Sequence, residues 1–268
     1  MSVAQWADLG RMDELGSGDT VAHRLDARAK VVVTLAFIVA VMSFPRREIS
    51  ALTPLLLYPL ALLSLGRIPL RYLWKKIALA APFALAVGLF NPWLDREPVA
   101  TLGPFVLTGG WLSFFSILLR FGLTVGAALA LVACTGMPGL AEGLARLGVP
   151  RVFVVQLLFL HRYLFVLAEE SGRLLRSVAL RSGGARHPPL RVCGSLLGHL
   201  LLRSLDRSER VYRAMSARGF TGQVRTLRRA TFRPADGVFA AVCLMFFAAV
   251  RRWNVAEWIG RLLTGSAS

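Results

Sequence analysis

The sequence predicts an all-α integral membrane protein with about five or six transmembrane helices and, in addition, long amphipathic cytoplasmic helices. Of its 268 residues 55% are hydrophobic and the mean hydropathy is +0.57, yet the formal net charge is +17. Soluble domains rarely combine these properties, because exposed apolar surface aggregates. The apolar residues also fall in runs that approach the length of a membrane span.

Four spans are predicted in the first half of the chain. Residues 29–45 and 49–65 are apolar runs joined by a short Pro-Arg-Arg turn, which predicts a helical hairpin. Residues 75–93 and 110–134 predict a second pair, because the prolines and glycines between them exclude a continuous helix. We therefore expect residues 1–134 to form an N-terminal membrane domain.

The arginines and lysines predict the orientation of these spans. The loop 66–76 carries four of them and no acid, whereas 91–110 carries one against two acids. We therefore expect 66–76 and the N-terminus on the cytoplasmic side. Residues 235–268 are expected to form a last span and a tail, which with five spans lies outside, against its local positive charge. A sixth crossing near 152–168 would resolve that conflict.

Most of the positive charge lies between the fourth and the last predicted span. Residues 135–234 hold 17 arginines and five acids, a net charge of +12. Their pattern predicts two long amphipathic helices, one from residues 149–150 to a double glycine at 183–184 and one from Pro189 to Gly219. Each is apolar at its beginning and charged at its end, so we expect residues 135–234 to form a cytoplasmic domain.

Both predicted helices end in a short arginine motif, Leu180-Arg181-Ser182 and Ala217-Arg218-Gly219. A cation at a helix C-terminus is favourable by about 0.3–1 kcal/mol, which explains one arginine but not the repeated ending. Binding of anionic lipid, worth about 1 kcal/mol per basic residue near the surface, is one alternative. Docking of Arg181 and Arg218 in acidic grooves of a soluble partner is the other. Three further arginines of the second helix are expected to support its ending: Arg207, Arg210 and Arg213.

The remaining charged residues near the spans are expected to have structural roles. Arg120 lies inside the fourth predicted span, where a charge is costly unless paired, so it should bond a backbone carbonyl or a tyrosine. Asp26, with Arg24 and Arg28, should form an ion-pair network or a cap before the first span. No metal site is predicted, because the four histidines are widely spaced and the three cysteines lack a C-x-x-C spacing.

Several other classes of protein are disfavoured. A prenyl-transfer enzyme needs carboxylate pairs for Mg²⁺ and diphosphate, and an intramembrane protease needs G-x-S-x-G or paired aspartates within spans, whereas the acids near the predicted spans are few and scattered. A phosphate-binding loop needs a lysine after glycine, and the three lysines follow alanine, tryptophan and lysine. A nucleic-acid binder fits the arginines but not the spans. A basic membrane enzyme, or a lipid-binding membrane protein without a soluble partner, remains the alternative.

Motifs along nearly the whole chain match one known family. They are His23-Arg24-Leu25-Asp26-Ala27-Arg28-Ala29-Lys30, the run 143–153, the pair Arg162-Tyr163, and the segment 214–220 with its Ala-Arg-Gly ending. On these motifs the chain resembles the transmembrane T component of energy-coupling-factor (ECF) transporters, especially the CbiQ family of cobalt-transport permeases. The motif at Arg181 departs from the family pattern by carrying Leu180.

The resemblance implies a non-catalytic scaffold of an importer in the bacterial inner membrane. Its implied partners are two ATP-binding subunits, a CbiM-like substrate-binding membrane subunit, an optional small accessory membrane subunit and membrane lipids, but no nucleic acid. The arginine motifs would end coupling helices that dock on the ATPases and relay their motion to the substrate subunit. ATP-Mg would then be bound by the ATPases and cobalt or nickel by the substrate subunit, with no cofactor in this chain.

Overall fold

The computed structural model describes residues 16, 18, 20–45, 50–90, 98–102, 105–182, 189–222 and 232–252. The described part of the chain is helical apart from one short hairpin and a 3-10 helix. In chain order the elements are α1 Val21–Arg24, α2 Ala27–Met42, a 3-10 helix Ser50–Leu56, α3 Leu57–Gly66, α4 Leu70–Leu89, β1 Pro98–Leu102, β2 Phe105–Thr108, α5 Gly109–Arg146, α6 Arg151–Arg181, α7 Leu190–Ala217 and α8 Pro234–Arg252. The predicted all-helical membrane fold is confirmed.

The chain divides into two compact units. The first comprises residues 12–143 and 230–268, and the second comprises 144–229. Three of the described helices are long and apolar enough to cross a membrane by length and composition, namely α5, α6 and α8. The count of five or six spans stays a prediction, because residues 51–66 form a shorter apolar helix and α4 begins with basic residues.

The elements of the first unit follow the predicted runs with three local differences. The run 49–65 begins as a 3-10 helix around Pro54, whose missing N–H weakens a regular α-helical start. The basic residues of 66–76 were expected in a loop, but α4 begins at Leu70 and holds Arg71, Lys75 and Lys76 in its first turns. Between α4 and α5 the strands β1 and β2 pair antiparallel.

Helix α5 is longer than predicted and contains a kink. It continues past residue 134 to Arg146, with a non-helical backbone at Gly136, where φ is +68°. Only glycine adopts this conformation without strain. A Cβ at Gly16 would lie 2.6 Å from the Cα of Gly136, so glycine at position 16 lets the two backbones approach closely.

The core of the first unit lies between α2, α3 and α8. The rings of Phe37, Tyr58 and Phe247 pack with centroids 4.8–5.5 Å apart. Thr34 Oγ1 donates to the Lys30 carbonyl at 2.8 Å and lies 2.7 Å from the Tyr58 hydroxyl, so that the buried phenol has a hydrogen-bond partner. These contacts tie the first helical hairpin to the last helix.

Helices α2 and α8 run parallel, whereas α5 runs the other way. At the start of both parallel helices, the Asp26 N–H donates to Asp236 Oδ1 at 2.8 Å. At their ends, Arg251 Nε donates to Ser43 Oγ at 3.1 Å, and its guanidinium lies 5.3 Å from the Phe44 ring centroid. The start of α2 also contacts the late part of α5, because Lys30 Nζ donates to the Cys134 carbonyl at 3.0 Å.

The second unit consists mainly of α6 and α7. Glu170 of α6 accepts hydrogen bonds from Arg203 of α7 and from Arg173 of its own helix. Among the residues of these two helices only Val154 and Ala168 are buried. The sequence therefore forms two long helices with large exposed faces and little core of their own.

Candidate functional site

Helix α7 ends in a Schellman motif, in which Arg218 is the C-cap residue. The Phe220 N–H donates to the Met215 carbonyl and the Gly219 N–H to the Ser216 carbonyl, both at 3.0 Å. Gly219 has φ +76°, the left-handed conformation that this cap requires. The Ala217-Arg218-Gly219 motif is thus a helix terminator that presents an exposed arginine at the cap position.

The end of α6 presents its arginine one position earlier. Arg181 is the last helical residue, and Ser182 is the cap, with its N–H bonded to the Val178 carbonyl at 2.9 Å. Leu180 is 79% exposed, which is costly in water for a large apolar side chain unless something covers it. The predicted double-glycine stop at 183–184 lies outside the described residues.

Three arginines in the middle of the unit, Arg173, Arg203 and Arg213, form ion pairs, but the two terminal arginines do not. Within the described part of the chain, Arg181 and Arg218 are exposed and take part in no ion pair. Arg213, by contrast, pairs with Glu209 at 3.1 Å, and Arg173 lies 2.7 Å from Glu170. The helix ends therefore offer cations that are available to an external anion.

The supporting arginines of α7 do not share one environment. Arg213 is engaged with Glu209, whereas Arg207 and Arg210 line the space between α6 and α7. Arg162 of the arginine–tyrosine pair faces the same space from α6. The structure thus brings Arg162, Arg207 and Arg210 together, away from the ends of the helices.

The N-terminal signature forms the start of the first core helix. Asp26 is the N-cap of α2, where its Oδ1 accepts from the Arg28 N–H at 2.9 Å and lies 3.9 Å from Arg28 Nε. The hydroxyl of Thr20 lies 2.6 Å from His23 Nδ1, and Arg24 is exposed. Asp26 thus caps α2 and lies near Arg28, whereas no hydrogen bond or ion pair between Asp26 and Arg24 is seen among the described residues.

The predicted carbonyl pairing of Arg120 is also present. Arg120 Nη2 donates to the Pro45 carbonyl, and its Nε donates to Ser116 Oγ at 3.2 Å. Such bonds keep a cation inside an apolar helix hydrogen-bonded.

Two buried charged residues of this region were given no individual role from the sequence, although Lys30 ends the signature motif. Lys30 is 1% exposed, and its Nζ donates to the carbonyls of Ala22 and Cys134 at 3.0 Å. Asp236 is 2% exposed and accepts from the N–H groups of Asp26 and Arg233, each at 2.8 Å. The sequence signal for their burial was a lysine and an aspartate next to apolar runs. Because charged side chains are rarely buried without partners, such residues indicate buried hydrogen-bonded contacts.

In the described residues no group of three or more histidine, cysteine or acidic side chains comes together to hold a metal ion. The described cysteines form no disulfide, and Cys134 is buried beside the Leu62 carbonyl. The chemistry of the second unit is instead that of cations on long helices. Such an arrangement binds anions or acidic surfaces.

The apolar helices define a multi-pass membrane protein, and the arginine-ended helices belong to a second, cation-rich unit. The family model described as "Cobalt transport protein" (CbiQ) matches residues 18–227, which is most of the chain. The protein therefore belongs to the CbiQ family of cobalt transport proteins.

Individual relatives agree with this assignment. The energy-coupling factor transporter transmembrane protein EcfT of Bacillus selenitireducens is 29% identical over 259 residues, covering 87% of this chain and 92% of the relative. The cobalt transport protein CbiQ of Rhodobacter capsulatus is 28% identical over 211 residues, 77% and 82% of the two chains. The nickel permease LarQ of Lactiplantibacillus plantarum is 33% identical over 144 residues, 52% of each chain. These relatives are transporter components of bacterial membranes, and this chain is a multi-pass protein of the bacterial inner membrane.

Proposed function

We propose that this protein is the transmembrane coupling subunit of an ECF-type importer for cobalt or nickel ions. The observation that carries the proposal is the pair of long helices in one compact unit, each ending in an exposed arginine that is unpaired among the described residues. The family's description names cobalt, and the LarQ relative is named a nickel permease. The metal would be bound by a partner membrane subunit and not by this chain.

The partners at the helix ends are proposed to be two ATP-binding subunits with acidic grooves. An exposed guanidinium at a helix end suits such a groove, because arginine forms paired hydrogen bonds to carboxylates. The Schellman cap holds the backbone of Arg218 in one conformation, so little ordering entropy is lost on docking. Leu180 beside Arg181 would be covered in the same contact, which accounts for its exposure.

Motion would pass along the helices as rigid elements. Arg203 of α7 and Glu170 of α6 join the two helices in their middle, so a displacement of one helix end is resisted by the other helix. Arg213 and Glu209 reinforce the last turns of α7 at i and i+4 spacing. Arg207 and Arg210 would support the coupling helix from the space between α6 and α7. The substrate-binding subunit would receive the displacement.

The test is affinity purification of the full chain from its native membrane, with wild type beside Arg181→Ala/Arg218→Ala. Truncating one partner of a buried charged contact costs about 2–5 kcal/mol. We therefore expect an ATPase to co-purify with the wild type and to be lost, or to hydrolyse ATP without transport, in the double variant. Cobalt and nickel uptake by cells carrying each form measures the second outcome.

The matched control is Arg176→Ala/Arg191→Ala. Both residues are exposed arginines of α6 and α7, and neither pairs with another described residue. The control removes the same charge outside the two C-terminal arginine motifs and should leave the ATPase bound. Absence of any ATPase from the wild type, or equal loss in both double variants, would refute docking through the helix ends.

A further inference from the structure

A groove between α6 and α7 has two chemically different arms. The apolar arm has a volume of about 650 Å³ and is lined by Phe159, Leu160, Tyr212, Met215 and Phe220, among others. This volume lies in the range of small-molecule sites, roughly 300–1,000 Å³. All of these residues belong to the second unit, so the groove exists within one compact body.

The second arm is cationic and continuous with the first. It has a volume of about 460 Å³ and is lined by Arg162, Arg207 and Arg210. Tyr163 and Arg207 line both arms, which makes them one groove. A ligand that fills it must combine an anionic group with an apolar body.

The three arginines of the cationic arm lack intramolecular partners among the described residues. Arg203, one turn away, is bonded to Glu170, and Arg213 is bonded to Glu209. Arg207 is half-buried between the helices, whereas Arg162 and Arg210 are exposed. Glu170 and Asp206 line an adjoining pocket with Arg207 and Arg210 but form no ion pair with either arginine, so these cations can still pair with an external anion.

We propose that this groove binds one acidic phospholipid, with its phosphate at Arg162, Arg207 and Arg210 and an acyl chain along the apolar arm. Arginine is suited to phosphate because its planar fork donates two parallel hydrogen bonds. The rings of Phe159 and Tyr163 are tilted to each other with centroids 6.2 Å apart at the junction of the arms, and tyrosine favours the headgroup level of a bilayer. Helix α6 is apolar and long enough to reach the hydrocarbon region.

Charge complementarity favours a lipid over an acidic protein segment. A carboxylate of a protein partner could pair with the arginines. The same partner would then also have to supply an apolar group to fill the apolar arm beside them. A phospholipid supplies both in one molecule. The bound lipid would bridge α6 and α7, and the apolar arm that holds its acyl chain reaches Phe220 at the cap of α7.

The test uses the full chain purified in detergent and titrated with phosphatidylglycerol or phosphatidylcholine, with the bound lipids counted by native mass spectrometry. The groove variant is Arg207→Gln/Arg210→Gln, and the control Arg176→Gln/Arg191→Gln removes the same charge elsewhere on the two helices. We expect the wild type and the control each to bind one phosphatidylglycerol molecule per chain at a saturable site. Affinity should fall at least about tenfold in the groove variant, the factor that corresponds to roughly 1.4 kcal/mol.

A second variant tests the apolar arm. Leu160 is 60% exposed, so Leu160→Ser should fold and yet weaken phosphatidylglycerol binding. Equal losses in the groove variant and the charge control would show diffuse attraction and overturn the site. Displacement of the lipid by millimolar inorganic phosphate, with no effect of Leu160→Ser, would indicate a free-anion site instead. If Arg210→Cys in the purified complex cross-links to another subunit and no lipid is retained, the groove is a protein interface.

Discussion

The side chain of Asp236 connects the start of α8 to the start of α2. Its two carboxylate oxygens accept from the N–H groups of Asp26 and Arg233, and it is 2% exposed. In Asp236→Ala both donors lose their acceptor, which costs about 1–3 kcal/mol. We expect the apparent Tm of the purified protein to fall by roughly 2–12 °C, taking about 2–4 °C per kcal/mol for a chain of this size. Asp236→Asn keeps one acceptor and should fall between the two.

An exposed aspartate provides the comparison. Asp206 of α7 is exposed and has no hydrogen bond or ion pair to another described residue, so Asp206→Ala should leave the apparent Tm unchanged. If Asp236→Ala also melts like the wild type, the carboxylate is not needed to hold the start of α2 against α8. Asp236 lies 210 positions from Asp26, and no spacing rule connects residues so far apart. For this reason the contact could not be predicted from the sequence.

Among the helices, α7 was the most predictable from the sequence. Glycine after a charged amphipathic run predicted its end, and the structure shows the Schellman cap there. The continuation of α5 past residue 134 was not predicted, because Gly136 and Pro138 are local stop signals. They produce a kink instead of an end, since Gly136 takes a positive φ and the chain resumes its helix. The grouping of Arg162 with Arg207 and Arg210 depends on how α6 packs on α7, which periodicity does not specify.

Substitution of Gly219 tests whether the cap positions Arg218. Gly219 has φ +76°, a conformation in which alanine costs about 1 kcal/mol more than glycine. Gly219→Ala should therefore weaken binding of the partner ATPase by about fivefold, measured by titration of the purified subunits. Gly194→Ala, in the interior of the same helix with open space around the added Cβ, should not weaken it. Equal affinity for Gly219→Ala and wild type would mean that the helix terminus adjusts without penalty.

At the scale of the whole molecule, the direction of the helices constrains the membrane topology. Because α2 and α8 are parallel, their ends lie on the same side of any membrane that both cross. An inside N-terminus then places Arg251 outside, as five spans require. The local charge that argued against this placement is partly accounted for, because Arg251 bonds Ser43 and lies over the Phe44 ring.

Coupling to cytoplasmic ATPases adds a condition on α6. This helix is long and apolar enough to span a membrane. If it crossed, its end at Ser182 and its beginning at Arg151 would lie on opposite sides of the membrane. Both arginine-ended termini must lie on the ATPase side. The proposed function therefore predicts that α6 lies along or near the membrane surface and does not cross it.

Cysteine labelling in intact cells decides between these topologies. Cys134, Cys193 and Cys243 are first replaced by alanine, and single cysteines are then placed at three exposed positions as Arg67→Cys, Ser182→Cys and Arg252→Cys. A membrane-impermeant maleimide should label only Arg252→Cys from outside, and the other two only after permeabilisation, because loop 66–76 carries cytoplasmic-type charge. Labelling of Ser182→Cys in intact cells would show that α6 crosses. The terminus at Arg181 would then face away from any ATPase, and docking there would have to be abandoned.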